Sequence, residues 1–176
     1  MKEYMRLESD SIGTMEVPED AYYGVQALRA KENFPITGTR LHPVFIKNLA
    51  KIKRAAAITN RKAGRLKPEI ANAIESACNE VVCGRFDKEF IVAGIQGGAG
   101  TSANMNMNEV IANRAIEMLC GKKGDYTIVH PNDHVNMAQS TNDVIPTAGK
   151  LTVLDLLKPL DKSLSLLTDA LYDKAE

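Results

Sequence analysis

From Pro43 onward the apolar positions of this chain keep a helical rhythm, and before Pro43 they do not. Phe45, Leu49, Ile52, Ala56 and Ala63 recur on one helical face, and Gly64 offers a left-handed stop. Pro68 suits a first helical position, Ile70, Ile74, Ala77 and Val81 continue the period, and Gly84 ends it. Two helices with so short a link predict an antiparallel hairpin. A third helix is predicted to start with Thr101 or Ser102 as N-cap and to carry a stripe of Met107, Ile111, Ala115 and Met118. The last segment repeats Val153, Leu157, Leu160, Leu164, Leu167 and Leu171 at steps of four and three, a heptad seam that needs partner helices. About 28 residues of helix from Gly149 would run on the order of 40 Å, with a local kink expected at Pro159. Residues 1–42 read as loop and short strands: Val17–Asp20 is turn-like, and Phe34–Gly38 is extended.

The pattern divides the chain into a helical domain over 1–145 and the start of a bundle over 146–176. The fold class is mainly α. Composition agrees, with no tryptophan and only 5% aromatic residues. Leu171–Glu176 still holds the helical pattern without a stop signal, so the chain is expected to continue past Glu176. Lys+Arg and Asp+Glu stand at 22 each, so no basic stripe argues for nucleic acid. Lys51, Lys53, Arg54, Arg61, Lys62, Arg65 and Lys67 cluster on a helix and read as a solvated face. Neither a signal peptide nor a membrane-spanning apolar run stands out, which makes the cytoplasm the expected location. The three cysteines fit no disulfide or zinc spacing, and Cys78 and Cys83 are expected as small buried groups.

One helix breaks the usual surface composition. Asn104, Asn106, Asn108, Glu109 and Asn113 lie off the apolar stripe of the third helix, and asparagine costs roughly half a kcal/mol against alanine in a helix. The expectation is a buried polar network lining a site.

Two runs concentrate the candidate chemistry: Gly98-Ala99-Gly100-Thr101-Ser102-Ala103-Asn104 and Gln139-Ser140-Thr141-Asn142-Asp143. Both crowd hydroxyls and amides beside helix-start signals, and neither contains lysine or arginine. Such surfaces can hold a small anion with neutral donors and helix N-termini. The glycines also match a loose dinucleotide fingerprint after a possible strand at Phe90–Val92. The rest of that unit is missing, and the absence of a following lysine excludes a P-loop. His130 and His134 have the spacing of a zinc pair without a third ligand, so hydrogen-bonded structural roles are expected and no metal.

Gly100 through Val110, and His130-Pro131-Asn132-Asp133-His134-Val135-Asn136 through Asp143, resemble two signature regions of the aspartase/class II fumarase superfamily. Tyr22 through Ala30 and Glu32 through Gly38 look like its aspartate ammonia-lyase branch, except that Gln26-Ala27 stands where many members have His-Thr. The resemblance implies reversible conversion of L-aspartate to fumarate and ammonia without an organic cofactor. It implies that Thr101, Ser140 and Thr141 donate to the substrate's side-chain carboxylate and that Asn142 contacts its amino group. His130, Asn132 and Asp133 match a region that holds a secondary anion in fumarases. The superfamily's base, a serine on a glycine-rich loop with Ser-Ser, Met-Pro, Lys and Asn-Pro, has no counterpart in residues 1–176, nor has its Thr-His pair. No catalytic residue is therefore assigned, and the chain alone is expected to be inactive. The resemblance also implies a homotetramer around a central helical bundle, each site built from three subunits. A class II fumarase, or a non-catalytic assembly domain of the same fold, is the alternative.

Overall fold

The computed structural model describes residues 4–175. Strands β1 (Met5–Ser9) and β2 (Thr14–Pro18) form an antiparallel pair, with Met5 opposite Pro18 and Ser9 opposite Thr14. Five helices follow: α1 (Val25–Asn33), α2 (Pro43–Lys62), α3 (Pro68–Val82), α4 (Thr101–Met118) and α5 (Thr141–Ala175). A 3-10 turn at Asp87–Glu89 and a π-helical turn at Pro131–Val135 punctuate the connections. Among the described residues no helix is long and apolar enough to cross a membrane.

Helices α2 and α3 start on Pro43 and Pro68, where the missing N–H costs nothing. Arg54 donates to Asn79 and, further along α2, Arg61 donates to Asn72, so the two helices run antiparallel as predicted. The buried face of α2 is offset from the predicted stripe. It comprises Ile46, Asn48, Leu49, Ala50, Lys53, Ala57 and Asn60, while Ala63 is exposed. Helical spacing is kept, but two asparagines and a lysine occupy positions that an apolar reading passes over. Lys53 has no exposed surface, which corrects the expectation that it belongs to a solvated face.

Helix α4 is enclosed almost all round. Met107, Ile111 and Ala115 are fully buried as predicted, beside Val110, Ala112 and Ile116. Its far side meets α3, where Arg114 grips Glu80 through Nε at 2.7 Å and Nη2 at 2.8 Å. Cys78 lies in this core, whereas Cys83 caps α3 in the open, contrary to its expected burial. Phe90–Val92, read as a possible strand, is irregular chain.

Helix α1 was not expected; its residues read as loop. Gly24 opens it with no side-chain cap of its own. The first turn is held instead by Glu109 of α4, whose carboxylate accepts from the N–H groups of Gly24 (3.0 Å), Gln26 (2.8 Å) and Ala27 (3.0 Å). Glu8 accepts the Val25 N–H at 2.9 Å. A side chain at position 24 would drive a Cβ to within 2.8 Å of the Glu109 carboxyl carbon, so glycine is required for this close approach.

The long helix α5 begins at Thr141, eight residues before Gly149, and continues through Pro146 and Pro159. Its first three turns bury Val144, Ala148 and Thr152, and Asn48 of α2 donates to Thr152 Oγ1 at 3.3 Å. Asp155 still accepts from Asn48 at 3.1 Å, and beyond it the described helix leaves the protein body with its leucines exposed.

Candidate functional site

The two hydroxyl-rich runs meet where α4 and α5 begin. Gly100, with φ +86°, is the residue before α4, so the N-cap is this glycine and not Thr101 or Ser102. The left-handed backbone allows the tight turn, and a Cβ there would lie 2.9 Å from Ile145 Cγ2 in the first turns of α5. The Ala103 N–H is satisfied by the side-chain Oε1 of Gln96 at 2.7 Å, a cap from seven residues upstream. Asn104 reaches across to α5, its Nδ2 donating to Thr141 Oγ1 at 3.1 Å.

At the start of α5 the backbone carbonyl of Ser140 accepts from Asp143 and Val144, each at 3.0 Å, and its Oγ accepts from the Asn142 N–H at 3.3 Å. Ser140 therefore caps the helix as its position suggested. Thr101, Ser140 and Asn142 are exposed and Thr141 is half-buried. The junction thus presents uncharged hydroxyl and amide groups at two positive helix ends, a combination that attracts a carboxylate. One charged neighbour escaped the sequence reading. Arg40, held by a bridge to Ala93, lines an adjoining groove of about 520 Å³ with His42, Gln96, Gly100 and Ile145. Nothing in its local sequence marks Arg40; the bridge that positions it spans more than fifty residues, from Arg40 to Ala93.

The asparagines of α4 are buried as expected, but most serve the scaffold. Asn106 accepts from Ile91 at 3.0 Å and donates to the Glu89 carbonyl at 3.0 Å. Asn113 donates to the Tyr22 carbonyl at 2.9 Å and accepts from Gly124 at 2.7 Å. With Glu109 on α1, these side chains supply the partners that irregular backbone needs once it is buried. Burial pushes the Glu109 carboxyl up to about 7, while the three backbone N–H groups pull it back toward the charged form. Among these residues, Asn104 is the one bonded to a predicted site residue. Asn108 makes only a 3.5 Å contact to Met105 Sδ, and its Oδ1 has no partner among the described residues.

Lys53 is linked to the α4–α5 junction through Asn136. Its Nζ donates to Asn136 Oδ1 at 2.7 Å, and burial lowers its ammonium to about 7. The same burial pushes the nearby Cys78 thiol up to about 12.

Residues 130–134 form a separate feature. His130 Nδ1 accepts from the N–H groups of Asn132 (3.2 Å) and Asp133 (3.1 Å), and His134 Nδ1 accepts from His130 N at 2.9 Å. Both Nδ1 atoms act as acceptors for backbone N–H groups at the π-helical turn. His130 and Asn132 line a cleft of about 260 Å³ with Ser9, Asp10, Gln26 and Tyr126. Asp133 is outside it, its side chain 78% exposed. Among the described residues no three His, Cys, Asp or Glu side chains are grouped to hold a metal ion.

The profile of the lyase family matches residues 13–176. An aspartate ammonia-lyase from Bacillus sp is 51% identical over 172 residues, covering 98% of this chain and 37% of that protein. A class II fumarate hydratase from Halobacterium salinarum is 50% identical over 177 residues, covering 100% of this chain and 37% of that protein. Among solved structures, fumarate lyase:delta crystallin from Brucella melitensis matches with a TM-score of 0.84 and 50% identity, over 86% of this chain and 36% of that one. Class II fumarase from Schistosoma mansoni matches with a TM-score of 0.82 and 42% identity, over 85% and 32%. The chain spans little more than a third of the length of these curated relatives.

Proposed function

We propose that this chain, which belongs to the lyase family, supplies the carboxylate-holding part of a site that converts L-aspartate reversibly to fumarate and ammonia, without an organic cofactor. In that reaction a proton leaves the carbon beside the side-chain carboxylate, and the electron pair moves into the carboxylate as an aci-carboxylate. The pair then returns to form the carbon–carbon double bond as the C–N bond breaks and ammonia departs. Charge builds on the carboxylate before the C–N bond breaks. Donors fixed in advance around that carboxylate therefore stabilise the transition state more than the bound substrate.

Thr101, Ser140 and Thr141 are the donors in this reading, and Asn142 meets the amino group. The observation that carries it is the meeting of two helix starts free of lysine and arginine, joined by the Asn104–Thr141 hydrogen bond. The half-identity to aspartate ammonia-lyases supports the substrate. No residue of this chain is assigned as the base, so the 176-residue chain alone makes no fumarate. In the same reading residues 1–145 form the lyase domain and 146–176 begin the central bundle of a cytoplasmic homotetramer. His130 and Asn132, with Asp133 at the rim, would hold a second small anion.

The fumarate hydratase relative favours a second reading, hydration of fumarate to malate. Fumarate formation by the full-length protein, measured with aspartate and with malate, separates the two. Turnover of aspartate is expected, and Thr141→Val should lower kcat/KM by roughly 100-fold, the scale of losing one oxyanion donor, with the fold retained. Turnover of malate alone would establish the second reading. Turnover of neither would leave a non-catalytic assembly domain.

A further inference from the structure

The buried lysine of α2 is bonded into a chain of amides that ends on the site. Lys53 Nζ donates to Asn136 Oδ1 at 2.7 Å. That oxygen also accepts from Asn104 Nδ2 at 3.2 Å, and Asn104 Nδ2 donates to Thr141 Oγ1 at 3.1 Å. Each link fixes the next. Lys53 Nζ donates in this contact, so Asn136 turns its oxygen, and not its NH2 group, toward the lysine. Facing an oxygen, Asn104 must present its NH2 group. With that NH2 donated to Thr141 Oγ1, the threonine hydroxyl has no acceptor on this side, and its own proton points away from Asn104. Asn136 Nδ2, the other end of the first amide, donates to the Gln139 carbonyl at 3.3 Å and ties the chain to the second hydroxyl-rich run.

We propose that Lys53 is a positioning residue that acts through Asn136 and Asn104 to set the Thr141 hydroxyl as a donor toward the bound carboxylate. This rests on the reading of Thr141 given above. Two further observations support it. Asn104 Oδ1 is buried and has no partner among the described residues, so the amide's orientation is set by what its NH2 meets. And a lysine with no exposed surface, between the buried Ala50 and Ala57 on the same face, is costly for packing alone. An apolar residue of similar length would fill the same space without that cost.

A double-mutant cycle in the full-length protein tests the relay. Lys53→Met is expected to lower kcat at least tenfold with KM changed less than threefold. In a Thr141→Val background the same substitution should change kcat less than twofold, because the hydroxyl it acts on is gone. An equal loss in both backgrounds, or no loss in either, would overturn the proposal. Should Lys53→Met fail to fold, Asn136 supplies the test. Asn136→Leu removes the shared acceptor and should lower kcat as strongly. Asn136→Asp keeps an acceptor for both neighbours and should lower it far less, and equal losses would overturn the relay. A readout independent of turnover is the nuclear Overhauser effect between the Asn104 side-chain NH2 and the Thr141 methyl. It should be present in the unsubstituted protein and lost in Lys53→Met. Its persistence would refute the relay. Its loss in a protein that turns over neither aspartate nor malate would leave the relay standing and remove the catalytic reading instead.

Discussion

Helix α4 and the outer half of α5 depart from the usual inside–outside rule in opposite senses. Helix α4 buries Asn104, Asn106, Asn108, Glu109 and Asn113, while α5 exposes Leu157, Leu160, Leu164, Leu167 and Leu171. The polar groups of α4 are largely matched, by loop backbone that would otherwise lie unpartnered in the interior. The leucines of α5 are matched by nothing among the described residues. Leu154, Leu156 and Leu166 add further exposed apolar surface off the seam, so more than one face of the helix calls for cover. A buried polar residue here marks a contact made within the body, and the exposed apolar ones mark a surface left open.

The contrast is best broken at Glu109. Replacing it with alanine leaves two buried and one half-buried backbone N–H groups without an acceptor, a loss on the order of 2–5 kcal/mol. Chemical denaturation should record it, and amide exchange at Gly24, Gln26 and Ala27 should lose protection first; unchanged protection there would show that the carboxylate is not what holds α1. Next in size is the pH dependence set by Lys53. Its ammonium sits near 7 when folded, against about 10.4 in an unfolded chain, so between those values the unfolded state binds one proton more and stability rises with pH. Relative to Lys53→Met, the native protein should be least stable below pH 7, by on the order of 2–4 kcal/mol, and the gap should close as pH nears 10. Parallel melting curves from pH 6 to 10 would reveal a constant gap if the lysine were not buried as a charge.

Asn108 sharpens the comparison from the other side. With its oxygen unpartnered, Asn108→Leu should cost less than about 1 kcal/mol or stabilise, whereas Asn106→Leu, which leaves the Ile91 N–H and the Glu89 carbonyl bare, should cost about 2 kcal/mol or more. The smallest effect on the melt belongs to the seam. Exchanging Leu160, Leu164 and Leu167 together for serine should shift the stability of the packed body by less than about 0.5 kcal/mol while weakening self-association seen by sedimentation. A large loss of monomer stability would mean that the seam folds back onto this chain.

Much of the fold was legible because its signals are local. Pro43, Pro68, Gly64 and Gly84 mark helix ends within a turn of where they act, and the two glycines take φ of +68° and +83°. Helix α1 was not legible because its cap is more than eighty residues away along the chain. The buried face of α2 was misplaced by one position for a related reason. Lys53 and Asn60 look like surface residues until Asn136 and the Met137 carbonyl are seen to receive them. Their spacing from Ile46, Leu49, Ala50 and Ala57 was the available clue. The candidate site was legible in composition, since hydroxyls and amides crowd two short runs. Its wiring through Asn136, and the flanking Arg40 and Gln96, depend on contacts between distant segments.

The reach of Glu109 back to the start of α1 also fixes an order of events during synthesis. At about 5–20 residues per second, the ribosome needs roughly 4–17 s after making Gly24 before Glu109 is added. Throughout that interval helix α1 lacks the acceptor that closes its first turn, so this cap forms only after Glu109 is made, although the helix it caps is born long before.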